Sequence, residues 1–206
     1  MTPKVSIIIT VYNQADLIIR ALDSIPRRDD IEVVIYDDCS TDGTFERVRK
    51  YAAFHPNLRI RLDSTPKNIG IGLTKNLLYE AATGEYIHQL DSDDALDTVI
   101  YSQVIDTMLN GEDMVYINLV TNSGEVYRLC EENKRYYCSG IARFIRREFI
   151  GDTRCPDVRK AEDWYFNEDL LKKNPTEKFT NMNAYLYNYP RVGSLTDLAV
   201  RELRKK

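Results

Sequence analysis

The chain has 206 residues and a formal net charge of −4 at pH 7. This length suits one sizeable domain with a two- or three-layer core, and its 43% hydrophobic and 29% charged residues are ordinary for a globular protein. The negative charge argues against a nucleic-acid-binding protein, because binding along a duplex requires a basic excess. No apolar run has the length of a membrane span, and Met1-Thr-Pro-Lys does not resemble a signal peptide. We therefore expect a cytoplasmic protein without a transmembrane segment.

Two groups of basic residues stand out against this background. Arg143, Arg146 and Arg147 form a candidate local basic patch, and residues 201–206 make a basic C-terminal tail. Such a tail could contact the anionic inner face of a membrane peripherally.

The cysteines and histidines exclude several kinds of site. The four cysteines lie far apart and form no Cys-x-x-Cys pair, which argues against a zinc or redox site. They are Cys39, Cys130, Cys138 and Cys155. Only two histidines are present, so a His-based catalytic triad has little material.

The first half of the chain alternates between strands and helices. Apolar, β-branched runs predict buried strands at 5–12, 31–36, 58–62 and 85–90. Helical patterns follow each of them and end near Pro26, Phe54, Ala82 and Gly111. Such alternation predicts a mostly parallel sheet with right-handed crossovers.

Polar side chains follow the predicted strands at their carboxyl ends. They are Asn13, Asp37, Asp38, Asp91 and Asp93. Because ligands of such sheets bind at the carboxyl ends of the strands, where the strand order reverses, we expect these residues to form one site.

Three carboxylates in four residues end the fourth strand: Asp91, Asp93 and Asp94. Crowded carboxylates beside apolar residues are costly without a cation, and an oxygen-liking divalent metal with a phosphorylated ligand would compensate them. The alternative is a solvated turn in which Asp94 caps a helix that begins near Ala95. The spacing alone leaves both interpretations open.

The second half is less regular and more antiparallel. Segments 114–121 and 125–129 flank Asn122-Ser-Gly124 and predict a hairpin. Residues 139–150 mix apolar and basic side chains, and 151–158 form a loop. A helix then follows to about Leu171, with Glu162 and Asp163 in its first turn, and 185–189 predict a last strand.

Five segments together resemble the family 2 glycosyltransferases of the GT-A fold: 5–13, 34–44, 68–76, 84–94 and 162–163. They occur in the order in which the family has them. The resemblance is continuous from residue 5 to about 110 and patchier to about 196. It implies an α/β, Rossmann-like, mostly parallel central sheet flanked by helices, with a smaller antiparallel or irregular C-terminal acceptor part. It also implies one domain over 1–206, with a nucleotide-sugar-binding half at 1–110 and an acceptor and catalytic-base half at 111–206.

The resemblance assigns the metal and the donor site. Asp93 matches the family's ligand for Mn²⁺ or Mg²⁺, and Asp91 matches a residue that binds ribose or the metal shell. The full set of implied donor-binding residues is Thr10, Tyr12, Asn13, Asp37, Asp38, Asn68, Gly70, Lys75, Asp91, Ser92 and Arg191. No histidine follows His88, so the family's occasional C-terminal histidine ligand has no counterpart.

Several of these matches carry an alternative. One of Asp37 and Asp38, with a slight preference for Asp38, is expected to accept the uracil N–H. Thr10 replaces a proline of the family pattern, and Tyr12 either packs on the base or is a core aromatic residue. Lys75 stands where arginine is common, so it contacts phosphate or base, or it lies on a solvated helix face.

The late residues imply the chemistry. Asp163 matches the family's catalytic base and Glu162 its orienting neighbour, although acids in a first helical turn also occur for dipole reasons. Trp164 is either an apolar platform for the acceptor sugar or an anchor of its helix. Arg191-Val-Gly-Ser194 resembles a segment that closes over the diphosphate, and a mobile tail is the alternative.

These matches together imply an inverting, metal-dependent transfer of a sugar from a UDP-sugar to a hydroxyl of a glycan or a glycosylated carrier. Two competing hypotheses remain. One is a non-catalytic nucleotide-sugar-binding module of the same fold. The other is a nucleotidyltransferase, which would need a Gly-rich basic loop after the first strand, where the chain has Tyr12-Asn-Gln-Ala-Asp16.

Overall fold

The computed structural model describes residues 2–134, 140–158 and 160–191. Within them, seven strands form a main sheet in the order β10-β6-β9-β4-β1-β2-β3. Their bounds are β1 Val5–Val11, β2 Ile31–Asp37, β3 Arg59–Ser64, β4 Tyr86–Gln89, β6 Met114–Tyr116, β9 Arg143–Arg146 and β10 Glu177–Phe179. Strands β1, β2 and β4 are almost entirely buried, which explains their near-continuous apolar sequences.

The main sheet is mostly parallel. β1 pairs in parallel with β2 and with β4, β2 pairs in parallel with β3, and β6 with β10. Only β9, between β4 and β6, runs antiparallel to both of its neighbours. The predicted α/β class with a mostly parallel sheet is therefore confirmed.

The helices of the described residues fill the connections between the strands. They are α1 Ile18–Asp23, α2 Thr44–Phe54, α3 Ile71–Ala81, α4 Thr98–Thr107, α5 Arg147–Ile150 and α6 Glu162–Leu171, with a short 3₁₀ turn at Gly140–Ala142. Helix α3 packs against β1 and β2. No helix among these residues has both the length and the apolar character needed to cross a membrane.

A smaller second sheet has the strand order β5-β11-β7-β8. Its strands are β5 Ala95–Leu96, β7 Leu119–Thr121, β8 Val126–Tyr127 and β11 Tyr185–Tyr187. β7 and β8 form the expected hairpin. The predicted strand at 114–121 is divided, since β6 belongs to the main sheet and β7 to the smaller one.

Two expectations about individual residues were wrong. Asp94 does not cap a helix near Ala95, because Ala95 begins β5 and helix α4 is capped by Asp97. Arg143 is only 1% exposed, since it lies in β9 in the interior of the main sheet, so it cannot share a surface patch with Arg146 and Arg147.

Strands from both halves of the chain lie in the main sheet. β9, which comes from the second half, pairs with β4 of the first half. The carboxyl ends of β1 and β4 lie side by side, and the chain order reverses between them. This is the position where α/β sheets bind their ligands.

Candidate active site

A cavity of about 440 Å³ opens at the carboxyl ends of β1, β2 and β4. It is lined by Thr10, Val11, Tyr12, Gln14, Asp38, Asn68, Gly70, Ile71, Thr74, Asp91, Ser92, Asp93, Tyr187, Asn188, Tyr189 and Arg191. The structure thus brings together most of the residues that the sequence assigned to donor binding. Asn13, Asp37 and Lys75 are not among the lining residues.

Asn13 joins two loops instead of facing the cavity. It adopts a left-handed backbone conformation with φ of 52°. Its side-chain Oδ1 accepts from the backbone amide of Thr41 at 2.8 Å, and its backbone amide donates to Ser40 Oγ at 2.9 Å. These bonds connect the loop after β1 with the loop after β2. Asn13 therefore supports Tyr12, which is 47% exposed and lines the cavity.

The two acids after β2 have different surroundings. Asp38 lines the cavity, and its carboxylate accepts from the amides of Ile69 and Gly70 at 2.8 and 2.9 Å and from the Thr65 hydroxyl at 2.9 Å. Asp37 is buried, with one oxygen bonded to the Ser40 amide and the other without a partner among the described residues. Asp38 therefore holds the loop before α3, in which Gly70 has a φ of 91° that favours glycine.

The three acids after β4 converge. One oxygen from each of Asp91, Asp93 and Asp94 lies within 4.8 Å of one from each of the others. Burial raises the pKa of Asp91 to about 6, with the charges of Asp93 and Asp163 adding to the effect and that of Lys75 opposing it. Burial and the charge of Asp91 raise the pKa of Asp94 to about 8. Such crowding disfavours the ionised carboxylates, and a cation would relieve it.

This acid cluster fits a divalent cation of the Mg²⁺ or Mn²⁺ type. Both ions prefer carboxylate oxygens and water. Asp91 and Asp93 line the cavity, whereas both oxygens of Asp94 accept hydrogen bonds from the protein. Asp91 and Asp93 are therefore the residues that would hold the ion, whereas Asp94 connects the acid turn to Tyr185 and Asn188.

Tyr185 is a site-building residue that the sequence analysis did not identify. Its hydroxyl donates to Asp94 Oδ2 at 2.7 Å and accepts from the Asp91 amide at 3.0 Å. Gln89 adds a second support, because its Nε2 donates to Asp91 Oδ1 at 2.6 Å. The signal in the sequence was only an aromatic residue in a predicted late strand, with nothing to connect it to the acids.

The far wall of the cavity comes from the end of β11 and the residues after it. Tyr187, Asn188, Tyr189 and Arg191 line it, and the two tyrosine rings stack at 5.5 Å between centroids. Of these residues, only Arg191 was predicted to belong to the site. The remainder of the predicted Arg191-Val-Gly-Ser194 segment lies outside the described residues.

The predicted base lies in the first turn of α6. The side chain of Asp163 is 26% exposed, and the ammonium of Lys75 forms ion pairs with both Asp163 and Glu162. The charge of Asp163 also contributes to the raised pKa of Asp91, so the two carboxylates interact electrostatically. The structure thus places the predicted base near the acid cluster.

Trp164 follows the predicted base and is 46% exposed. Its ring meets that of Tyr165 edge to face, with centroids 5.1 Å apart, and Tyr165 is exposed to a similar degree. The same helix buries Phe166 and Leu170. Trp164 therefore does not anchor α6 in the core, and an exposed aromatic surface lies beside Asp163.

Comparison with known proteins identifies one family. Residues 6–160 match the family model of glycosyl transferase family 2. The chondroitin synthase of Escherichia coli is 41% identical over 220 residues, which cover 99% of this chain and 31% of that protein. The chain therefore spans about a third of the length of this relative.

Solved structures share the fold. TarS of Staphylococcus aureus, residues 1–349 in complex with UDP-GlcNAc, matches with a TM-score of 0.78 and 23% identity, over 93% of this chain and 60% of that one. The mannosyltransferase PcManGT of Pyrobaculum calidifontis, in complex with GDP-Man and Mn²⁺, matches with a TM-score of 0.74 and 22% identity, over 94% and 59%. The expected GT-A architecture is confirmed.

Proposed function

The chain belongs to glycosyl transferase family 2, and on that premise we propose that it transfers a sugar from a UDP-sugar to a hydroxyl of a glycan or a glycosylated carrier, with inversion at the anomeric carbon. One observation carries the proposal. A cavity at the strand ends has the Asp91 and Asp93 carboxylates in its wall, and a partly exposed carboxylate, that of Asp163, lies near them.

The donor would occupy the cavity of about 440 Å³. Tyr12 would offer an aromatic face for the base, and the Asp38 carboxylate would accept the uracil N–H. Asp91 and Asp93 would hold Mn²⁺ or Mg²⁺, which when bound supplies Lewis-acid stabilisation of the charge on the departing diphosphate. The solved complexes of TarS with UDP-GlcNAc and of PcManGT with GDP-Man and Mn²⁺ support a nucleotide-sugar donor and a divalent ion.

Asp163 would act as the general base. It takes the proton of the acceptor hydroxyl while that oxygen forms a bond to the anomeric carbon and the bond from this carbon to the diphosphate oxygen breaks. One displacement inverts the anomeric centre and requires no covalent intermediate with the enzyme. The exposed face of Trp164 beside the base would support the acceptor sugar.

Calorimetric titration with UDP tests the donor site. We expect binding in the presence of Mn²⁺ that is lost with EDTA and in Asp93→Ala. Asp169→Ala is the matched control, because it removes an aspartate of an exposed ion pair on α6 and should bind UDP like the wild type. A folded wild type that does not bind UDP would rule out a UDP-sugar donor.

Transfer itself is tested by UDP release from a panel of UDP-sugars with oligosaccharide acceptors. Asp163→Asn should lower kcat by about 100-fold or more while the affinity for UDP stays unchanged, because a general base contributes about 10²–10⁴ in rate. The anomeric configuration of the product, read by NMR, tests inversion. UDP binding without turnover of any UDP-sugar would support the non-catalytic alternative.

A further inference from the structure

The ammonium of Lys75 lies within a group of carboxylates. The side chain is 1% exposed and points from α3 to the first turn of α6, where Nζ is 3.2 Å from Glu162 Oε1 and is also bonded to Asp163 Oδ1. Burial opposes its charge, but the charges of Asp163, Glu162 and Asp91 outweigh that effect and raise the pKa of Lys75. Lys75 is thus a buried cation paired with two acids of α6, and it does not lie on a solvated helix face.

The same face of α3 also contacts α6 and part of the chain that precedes it. Gly72 packs so closely that a Cβ there would lie 3.1 Å from Glu162 Cβ and 3.2 Å from the Pro156 carbonyl oxygen. Asn76 donates to the Cys155 carbonyl at 2.9 Å and accepts from the Cys155 amide at 2.8 Å. One turn further, Tyr79 stacks on Phe166 of α6 at 4.9 Å between centroids.

The spacing of these residues explains their common direction. Positions three, four and seven residues apart lie on one side of a helix, which is the relation of Gly72 to Lys75, Asn76 and Tyr79. Lys75 is the only one of these four that carries charge. It therefore acts on the charges of α6, whereas Gly72 and Tyr79 pack against that helix and Asn76 bonds the backbone of Cys155 before it.

We propose that Lys75 is a positioning residue for Asp163, and that it does not bind the diphosphate or base of the donor. The proposal rests on the function proposed above, in which Asp163 is the general base. Lys75 binds one carboxylate oxygen of Asp163 and holds the side chain in one orientation. It also offsets the repulsion between the adjacent carboxylates of Glu162 and Asp163. Without Lys75, these two anions would lie close together with no cation to pair with.

The position of Lys75 argues against a contact with the donor. It is absent from the lining of the cavity, which includes its neighbours Ile71 and Thr74 on α3. Its ammonium is already engaged by Glu162 and Asp163, so a phosphate would have to displace two carboxylates to reach it.

The test compares Lys75→Met with Lys75→Arg. Lys75→Met removes the charge but keeps an unbranched side chain, and Lys50→Met, on the exposed face of α2, is the matched control. With the UDP-sugar that the wild type turns over, we expect kcat of Lys75→Met to fall about 100-fold while the Kd for UDP with Mn²⁺ changes by less than about twofold. Lys75→Arg keeps the charge and should recover at least about tenfold of the lost kcat.

A double variant separates positioning from a general structural effect. If Lys75 acts through Asp163, Lys75→Met should lower kcat by less than about twofold in an Asp163→Asn background. Should Lys75→Met fail to fold, Lys75→Met with Glu162→Gln removes one charge of each sign. That protein should fold, and its kcat should lie at least about tenfold below that of Glu162→Gln alone. Equal kcat values in these two variants would overturn the role of Lys75.

The outcomes distinguish two failures. If the wild type is active and Lys75→Met has the same kcat, the proposed role of Lys75 is overturned while the proposed function stands. The same holds if Lys75→Met binds UDP about tenfold more weakly at an unchanged kcat. A wild type that turns over no UDP-sugar overturns the proposed function and the positioning role with it.

Discussion

The guanidinium of Arg191 lies 2.7 Å from Asp93 Oδ2 and forms an ion pair with the carboxylate that we propose as a metal ligand. Both side chains line the cavity, and both are partly exposed. In this arrangement a side-chain cation takes up a carboxylate oxygen that a metal ion would also bind. We therefore expect Arg191 and a divalent ion to compete for Asp93 when no donor is bound.

Arg191→Gln should strengthen the binding of Mn²⁺ to the nucleotide-free protein by about 1.4- to fivefold. The size follows from the small free energy, about 0.2–1 kcal/mol, that a partly exposed ion pair contributes. Calorimetric titration with Mn²⁺ alone measures it. The control is Arg154→Gln, which removes an arginine whose ion pair with Glu80 lies outside this cavity. Weaker Mn²⁺ binding in Arg191→Gln would contradict the competition.

Tyr185→Phe should destabilise the fold by about 1–3 kcal/mol, because it removes one buried and one partly buried hydrogen bond and leaves polar groups of the acid turn without these partners. It should also weaken Mn²⁺ binding, since Asp91 and Asp94 lose a common support. Denaturant unfolding and Mn²⁺ titration measure the two effects. Tyr36→Phe is the matched control, because its hydroxyl makes only one exposed contact with Asp63, at 3.4 Å. Equal effects of the two substitutions would show that the Tyr185 hydroxyl has no special role.

Gly72→Ala should reduce kcat by about tenfold and leave the Kd for UDP unchanged. The added Cβ would push Glu162 and the Pro156 carbonyl away from α3 by a few tenths of an ångström, and this shift would displace the first turn of α6. The thermal midpoint should fall by the equivalent of up to about 2 kcal/mol, because overpacking costs about 1–3 kcal/mol while replacing a helical glycine by alanine regains about 1 kcal/mol. Kinetics, UDP calorimetry and thermal unfolding on the same preparation test this. Unchanged kcat would show that α6 accommodates the methyl group without moving Asp163.

His88 should make stability depend on pH below neutrality. Its side chain is fully buried, Nε2 donates to the Ile141 carbonyl at 3.0 Å, and Nδ1 accepts from the Tyr101 hydroxyl at 2.9 Å. Burial lowers the pKa of His88 from 6.5 to about 4, although the bond to Ile141 acts in the opposite direction. Between these values the unfolded chain binds the proton and the folded protein does not, so the free energy of unfolding falls as the pH falls.

The loss attributable to His88 is up to about 3 kcal/mol between pH 6.5 and pH 4. Urea unfolding of the wild type and of His88→Gln at several pH values measures it, because the difference between the two curves removes the contribution of the other groups. The wild type should lose its advantage over His88→Gln as the pH falls through this range. A pH-independent difference would contradict the assignment of a neutral buried imidazole.

Much of the main sheet could be predicted from the sequence. β1 and β2 are continuous apolar runs, and a strand covered on both faces by helices needs such a run. The acids at the ends of β2 and β4 follow these runs directly along the chain, so their meeting at one edge of the sheet follows from parallel pairing. Element ends were less accurate: β3 runs from Arg59 to Ser64, where 58–62 was expected.

The sequence by itself therefore determined the α/β class, the edge of the sheet at which the candidate site lies, and the placement of Asp91 and Asp93 at that edge. Only the tertiary structure decided that Lys75 is buried against Glu162 and Asp163, which follow it in the sequence by 87 and 88 positions. It also decided that Tyr185 joins Asp91 and Asp94 and that Arg143 is internal. The physical reason is that strands and turns depend on local apolar patterns and neighbouring residues, which the sequence shows directly. The position of a buried charge depends on partners that are distant in sequence, and these leave no periodic signal.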